Sequence, residues 1–127
     1  IRETILKTLA CDLGGTNVRF MIIESNDPYQ HSDQYRVLAN QSLLSKDYSH
    51  FEDALDSFLR TTSELPEYLC IAAAGPIITH PDERIVNMTN LPWCLSDKKV
   101  KQRFGFTQTF LINDFSAITH ALLNPKQ

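Results

Sequence analysis

Cys11-Asp12-Leu13-Gly14-Gly15-Thr16-Asn17-Val18-Arg19 follows one apolar run and leads into another, and it sets two of the chain's 4 glycines beside an acid, a hydroxyl and an amide. Two readings of it compete. In the first it is a hairpin turn in which Gly14-Gly15 supplies positive φ and Asn17 satisfies its own backbone. In the second, glycines without Cβ atoms let backbone N–H groups come close to a phosphate, Thr16 adds a hydroxyl, and Asp12 holds hydrated Mg²⁺. The pattern is neither a Walker A loop, since no Gly-Lys-Ser/Thr follows, nor the G-x-G-x-x-G dinucleotide fingerprint.

Working outward, the residues from Thr8 to Ser25 read apolar, turn, apolar, and Val18, Phe20 and Ile22 alternate with Arg19, Met21 and Ile23 as in a strand. This predicts a hairpin through Gly14-Gly15-Thr16-Asn17. After the turn-rich Asn26-Asp27-Pro28, the run from Gln34 to Asn40 predicts a third antiparallel strand with Tyr35, Val37 and Ala39 on one face, giving a meander. Ser49 with Glu52 is a capping-box pattern ahead of Phe51, Leu55, Phe58 and Leu59 at helical spacing, and Pro66 marks the helix's stop. Tyr68 to Ala74 predicts a strand buried on both faces, ended by Gly75-Pro76, and Arg84 to Met88 a short strand. Ser96 caps a predicted helix through Val100 to about Phe104, stopped by Gly105; Thr109 to Ile112 is another buried strand. A last helix carries Phe115, Ile118 and Leu122 inward and stops at Asn124-Pro125. Strands first in a meander, then strands alternating with helices, predict an α/β layer with a mixed sheet.

The chain has 127 residues, 43% of them hydrophobic and 21% charged, which suits one soluble globular unit with a single core. A formal net charge of -3 leaves no basic footprint for nucleic acid, and no apolar run reaches the roughly 20 residues a membrane crossing needs. The 3 cysteines, Cys11, Cys70 and Cys94, are odd in number and lack paired spacing, so a reducing cytoplasm is expected rather than a disulfide framework or a zinc site. The start, Ile1-Arg2-Glu3-Thr4-Ile5-Leu6-Lys7, does not have the form of a signal peptide.

Two further stretches can carry chemistry. In Leu111-Ile112-Asn113-Asp114-Phe115 an amide and a carboxylate leave a strand together at a predicted helix start. Asp114 there is either a helix cap or a general base, with Asn113 binding a substrate hydroxyl. Strand ends of this kind are a common ligand position in open α/β sheets. In Asn87-Met88-Thr89-Asn90-Leu91-Pro92-Trp93, amides and a hydroxyl stand beside the single tryptophan, which alone reads as a core anchor among turns. His31, His50, His80 and His120 show no metal spacing and read as structural; Cys11 and Cys70 lie inside apolar strands and read as core residues. No G-x-S-x-G elbow is present.

The order CDLGGTNVRF, CIAAAGP, MTNLPW, FLINDFSA is more specific than any one of these motifs, and from about Leu9 to Leu123 the chain resembles the N-terminal half of the bacterial-type glucokinase family. The resemblance implies a ribonuclease H-like, actin-like ATPase fold, two lobes closing over a sugar and ATP, and γ-phosphoryl transfer to the 6-hydroxyl of glucose. Residues 1–127 would then be the small N-terminal lobe. By the same resemblance Asp12, Gly14, Gly15, Thr16 and Asn17 meet the ATP phosphates and Mg²⁺, with Asp12 reaching the metal through water. Asn113 binds glucose, Asp114 is the catalytic base, and Gly75, Pro76, Thr89 and Asn90 with Trp93 shape the sugar side.

Family members continue into a larger lobe with an acid-and-histidine sugar motif and an adenosine site, so the 127 residues alone are expected to have little or no kinase activity. Steady glucose 6-phosphate production by this chain, lost on Asp114→Ala, refutes that expectation. A sugar sensor and a chaperone-type ATPase on the same fold are the rivals. Only eleven residues precede Asp12, too few for a repressor's DNA-binding segment ahead of it, and Asn113-Asp114 with Thr89-Asn90-Leu91-Pro92-Trp93 favours a sugar kinase over a chaperone. Hexose choice, donors other than ATP, and whether the full-length protein is a homodimer stay open.

Overall fold

A computed structural model describes residues 5–25, 35–89 and 91–113. Strands β1 (Leu6–Leu13), β2 (Asn17–Ser25) and β3 (Tyr35–Leu44) form the expected antiparallel meander; β4 (Tyr68–Ala73) and β8 (Gln108–Ile112) then add on the other side of β1, both parallel to it in direction. The resulting sheet is mixed, in the order β3-β2-β1-β4-β8.

Alternation sorts the side chains. Leu9, Cys11 and Leu13 of β1, Val18, Phe20 and Ile22 of β2, Leu69, Ile71 and Ala73 of β4 and Leu111 of β8 share one face and one core. Helix α1 (Phe51–Arg60) lays Phe51, Ala54, Leu55 and Phe58 on that face, and Phe20 stacks on Phe58 with ring centroids 4.9 Å apart. Helix α2 (Asp97–Phe104) adds Val100 to the same core. On the opposite face Ala10, Ile23, Cys70 and Ala72 make a second, smaller cluster.

Several sequence expectations change in detail. The third strand runs on to Leu44, and a register shift at Ile22/Ile23 turns Val37 and Ala39 to opposite sides: Val37 pairs with Ile23 and is exposed, while Leu38 and Ala39 pack on the core. An extra residue in a paired strand inverts the alternation beyond it. The capping box does not form. His50 holds the N-cap position of α1 without a side-chain cap bond, and its ring meets Asp53 instead. The helix ends at Thr61, where the N–H donates to the Phe58 carbonyl, well before Pro66.

Ile77–Thr79 (β5), Arg84–Asn87 (β6) and Cys94–Ser96 (β7) form a separate antiparallel sheet in the order β5-β6-β7. Only β6 was read from the sequence. β8 is an edge strand among the described residues: Thr109 and Leu111 are buried, but Phe110 is 46% exposed, so it is buried on one face rather than two. The expected helix over Phe115 to Leu122 lies outside the described residues.

α2 forms as its sequence predicts. The Ser96 hydroxyl accepts the Lys99 N–H, and Gly105 ends the helix at φ 77°, its N–H donating to the Lys101 carbonyl. A Cβ at Gly105 would meet nothing within 4 Å, so only the left-handed backbone resists a side chain there. Gly105→Ala is therefore expected to cost about 1 kcal/mol in urea unfolding; an unchanged midpoint contradicts the strain argument.

The three thiols separate by burial. Cys11 and Cys70 are buried and Cys94 is exposed; all are free. Burial pushes the Cys11 thiol well up, and the Cys70 thiol from 9.0 to about 12. Neutral buried thiols favour the fold below the unfolded value, and that contribution falls as pH rises from 9.0 toward 12. A disulfide reagent at pH 8 is expected to modify one thiol quickly, at Cys94; a second fast thiol contradicts this packing.

Candidate active site at the carboxyl ends of the parallel strands

Because β1, β4 and β8 run in one direction, their carboxyl ends emerge at the same edge of the sheet. Leu13 pairs with Ala73, and Ala72 with Ile112, so the residues that follow are brought side by side: Gly14 after β1, Gly75 shortly after β4, Asn113 after β8. Adjacent strands lie roughly 4.8 Å apart, which puts β1 about 10 Å from β8. Crevices outside such ends are the usual ligand sites of open α/β sheets.

At the β1 end, the Gly14 N–H donates to the Asn17 carbonyl at 2.9 Å and closes the turn. A Cβ on Gly14 would lie 3.3 Å from that carbonyl oxygen, a tight approach. Neither Gly14 nor Gly15 has a positive φ; the only glycine that does is Gly105. The turn reading gave the glycine pair a conformational reason that the backbone does not supply. Gly15, Thr16 and Asn17 are exposed, and no acceptor among the described residues takes the Gly15 or Thr16 N–H. Asp12 is half-buried, pairs in register with Arg19 and Ala72, and enters no ion pair among the described residues.

Ser45, which the sequence did not single out, supports this turn from below. It is 1% exposed, its N–H donates to the Thr16 carbonyl at 2.9 Å, and its hydroxyl has no partner among the described residues. A strand read to Leu44 rather than Asn40 would have placed it opposite the glycines.

At the other ends, Asn113 Nδ2 donates to the Gly75 carbonyl at 2.5 Å, linking positions 38 residues apart. Gly75 is itself pressed on the end of β6, where a Cβ would meet the Asn87 carbonyl at 3.2 Å. Met88 N–H donates to the Trp93 carbonyl at 2.9 Å and closes the loop that carries exposed Thr89. Trp93 is a core residue: it is 2% exposed, stands edge-on to Phe51, and its indole N–H donates to the Tyr48 carbonyl at 3.1 Å. Pro76 is exposed beside Gly75. Asn90 and Asp114 lie outside the described residues.

The arrangement fits a metal-bound phosphate in its chemistry. N–H donors that have no acceptor among the described residues, with a hydroxyl, suit phosphate oxygens, and a carboxylate that has no ion pair among them matches the way Mg²⁺ is held with substrate phosphates rather than in an all-protein cage. No group of three or more metal-binding side chains occurs among the described residues, and no described helix is long and apolar enough to cross a membrane.

Known proteins agree with this architecture. The family model described as "Glucokinase" matches residues 9–127. The glucokinase of Caulobacter vibrioides strain NA1000 is 36% identical over 121 residues, covering 93% of this chain and 33% of the relative. A crystal structure of glucokinase from an Antarctic psychrotroph superposes with a TM-score of 0.75 at 33% identity, covering 91% of this chain and 34% of that one. A Balamuthia mandrillaris glucokinase, solved in complex with glucose, shares the fold at a TM-score of 0.57 and 21% identity, over 93% of this chain and 32% of that one. The chain thus spans about a third of the length of these relatives, their N-terminal portion. With a sugar-kinase sheet of the actin-like type and a family match over nearly all its residues, this chain belongs to the glucokinase family.

Proposed function

We propose that this chain is the smaller, N-terminal lobe of a two-lobed, ATP-dependent glucokinase, working with Mg²⁺ in the cytoplasm and transferring a phosphoryl group to the 6-hydroxyl of glucose. The observation that carries the proposal is the edge shared by the ends of β1, β4 and β8: a diglycine turn that its own backbone does not require, two strands from an asparagine amide locked on Gly75. The family match supports the activity, and the glucose bound to the Balamuthia mandrillaris relative supports the sugar.

When bound, Mg²⁺ with ATP supplies the phosphoryl group and much of the charge neutralisation that its transfer needs. The chain's own part is positioning. Gly14 and Gly15 let the backbone come close to the phosphates, the Gly15 and Thr16 N–H groups, the Thr16 hydroxyl and the Asn17 amide donate to them, and Asp12 holds the metal through water. Asn113 holds a glucose hydroxyl, and Gly75, Pro76, Thr89 and Asn90 line the sugar's side of the crevice. Asp114 would take the proton from the 6-hydroxyl as that oxygen bonds to the γ-phosphorus and the bond from phosphorus to the bridging oxygen breaks, releasing ADP, so no hydroxyl proton is stranded in the transition state.

The test is an assay of the full-length protein with ATP, Mg²⁺ and a panel of hexoses. Formation of glucose 6-phosphate that requires Mg²⁺ is the expected result. Sugar binding without turnover would point to a sensor, and ATP hydrolysis stimulated by peptide but not by sugar to a chaperone; either would overturn the proposal.

A further inference from the structure

We propose that Ser45 is a positioning residue for the turn after β1: its buried hydroxyl donates to a carbonyl of Gly14 or Gly15 when the N–H groups of Gly15 and Thr16 turn to an anion. This rests on the phosphate-binding role proposed above for Gly15 and Thr16, and adds what holds their peptide groups from behind.

Four peptide units make the turn, and the outer pair differs from the inner pair. The Gly14 N–H is fixed on the Asn17 carbonyl, and the Thr16 carbonyl is fixed by the Ser45 N–H, each at 2.9 Å. Between these anchors the Gly15 and Thr16 N–H groups have no acceptor among the described residues, and no donor among them gives to the Gly14 or Gly15 carbonyl. All four open groups belong to the two middle units. A peptide group is planar and trans, so its N–H and its C=O point in opposite directions. Aiming both N–H groups into the crevice therefore swings both carbonyls back toward the protein, where a carbonyl shut off from water needs a donor.

Ser45 can supply that donor. It is buried, and its Oγ has no partner among the described residues. Buried hydroxyls are seldom left in this state, because the hydrogen bonds they give up to water are not replaced. Nor can the main chain shift to find solvent: the Ser45 N–H is on the Thr16 carbonyl, and the Ser45 carbonyl takes the Tyr48 N–H at 3.2 Å. Asn17 pairs with Leu44, directly before Ser45, so the β2-β3 ladder carries the hydroxyl to the base of the turn. A donor without an acceptor thus sits under a turn whose acceptors lack donors. An anion on the far side of the same peptide groups is what brings the two together.

The test measures, in the full-length protein, dissociation constants for ATP with Mg²⁺, for adenosine and for glucose, and the melting temperature without ligand, in wild type, Ser45→Ala and Ser45→Cys. Ser45→Ala removes a hydroxyl that the ligand-free fold does not use, so its melting temperature is expected to equal or exceed that of wild type. Its affinity for ATP is expected to fall about three- to tenfold, the loss of one hydrogen bond. Adenosine, which brings no phosphate to the turn, and glucose should bind as they do to wild type. Ser45→Cys puts a weakly donating thiol in the same place and should weaken ATP as Ser45→Ala does. Unchanged ATP affinity in Ser45→Ala would overturn the inference, and so would an equal loss for adenosine. A lowered melting temperature would overturn it as well, by showing that the hydroxyl is already bonded in the ligand-free protein. ATP binding that is indifferent to Gly15→Ala would instead overturn the phosphate site itself.

Discussion

Asp114→Asn in the full-length protein is expected to lower kcat by about 10²–10⁴, the range that a positioned base contributes. The substitution keeps the size of the side chain and removes only its ability to take a proton. Phosphoryl transfer leans on alignment and charge neutralisation more than on proton removal, so a residual rate is expected and KM for glucose should move far less than kcat. What favours Asp114 is its place in the sequence: it directly follows Asn113, whose amide donates to the Gly75 carbonyl just past the end of β8. Stopped assays of glucose 6-phosphate at saturating ATP decide it. A kcat within fivefold of wild type would show that the carboxylate is not the base.

The second large effect is on stability. Phe20 is fully buried on β2, stacked on Phe58 at 4.9 Å with an interplanar angle of 12°, and 6.2 Å from Phe51, which in turn meets Trp93 edge-on. It joins the sheet to α1 and to the loop before β7. Phe20→Ala removes the ring at the centre of that row and is expected to cost about 3–5 kcal/mol. Set against a typical domain stability of about 5–15 kcal/mol, that is enough to leave a marginal fold. The chain has 1 tryptophan, so Trp93 fluorescence in urea reports on this cluster directly. Phe110→Ala, at a position 46% exposed, is the control and should cost only about 0.5 kcal/mol. A Phe20→Ala loss no larger than the Phe110→Ala loss would contradict the described core.

Where the sequence was readable, local chemistry and tertiary packing agree. Val18, Phe20 and Ile22 alternate and are all buried, and Ser96 and Gly105 bracket α2 because a hydroxyl cap and a left-handed glycine act within one turn. The misreadings have physical causes too, some local and some not. Ser49 offered a capping box, but the chain begins α1 one residue later and leaves His50 at the cap. The bulge at Ile22/Ile23 depends on the pairing of two strands and cannot be seen in either alone. β5 and β7 are each three residues long, too short for alternation to register, and β5 is mostly exposed. At the candidate site, residue types were visible and partners were not. Nothing near Asn113 in the sequence points to the Gly75 carbonyl, and Ser45 carries no motif; both are consequences of parallel pairing across long separations.

The glycine pair after β1 tests the whole reading, because its two explanations predict opposite things. Gly15 is exposed and its φ is not positive, so a methyl group there should be tolerated by the fold while obstructing a phosphate brought against the backbone. The decisive measurement is KM for ATP together with thermal stability in full-length Gly15→Ala. A rise of about tenfold or more in KM for ATP, with the melting temperature and the glucose dissociation constant unchanged, is the predicted result. An unaltered KM for ATP alongside a lowered melting temperature would make the glycines a structural turn and contradict a phosphate site at the end of β1.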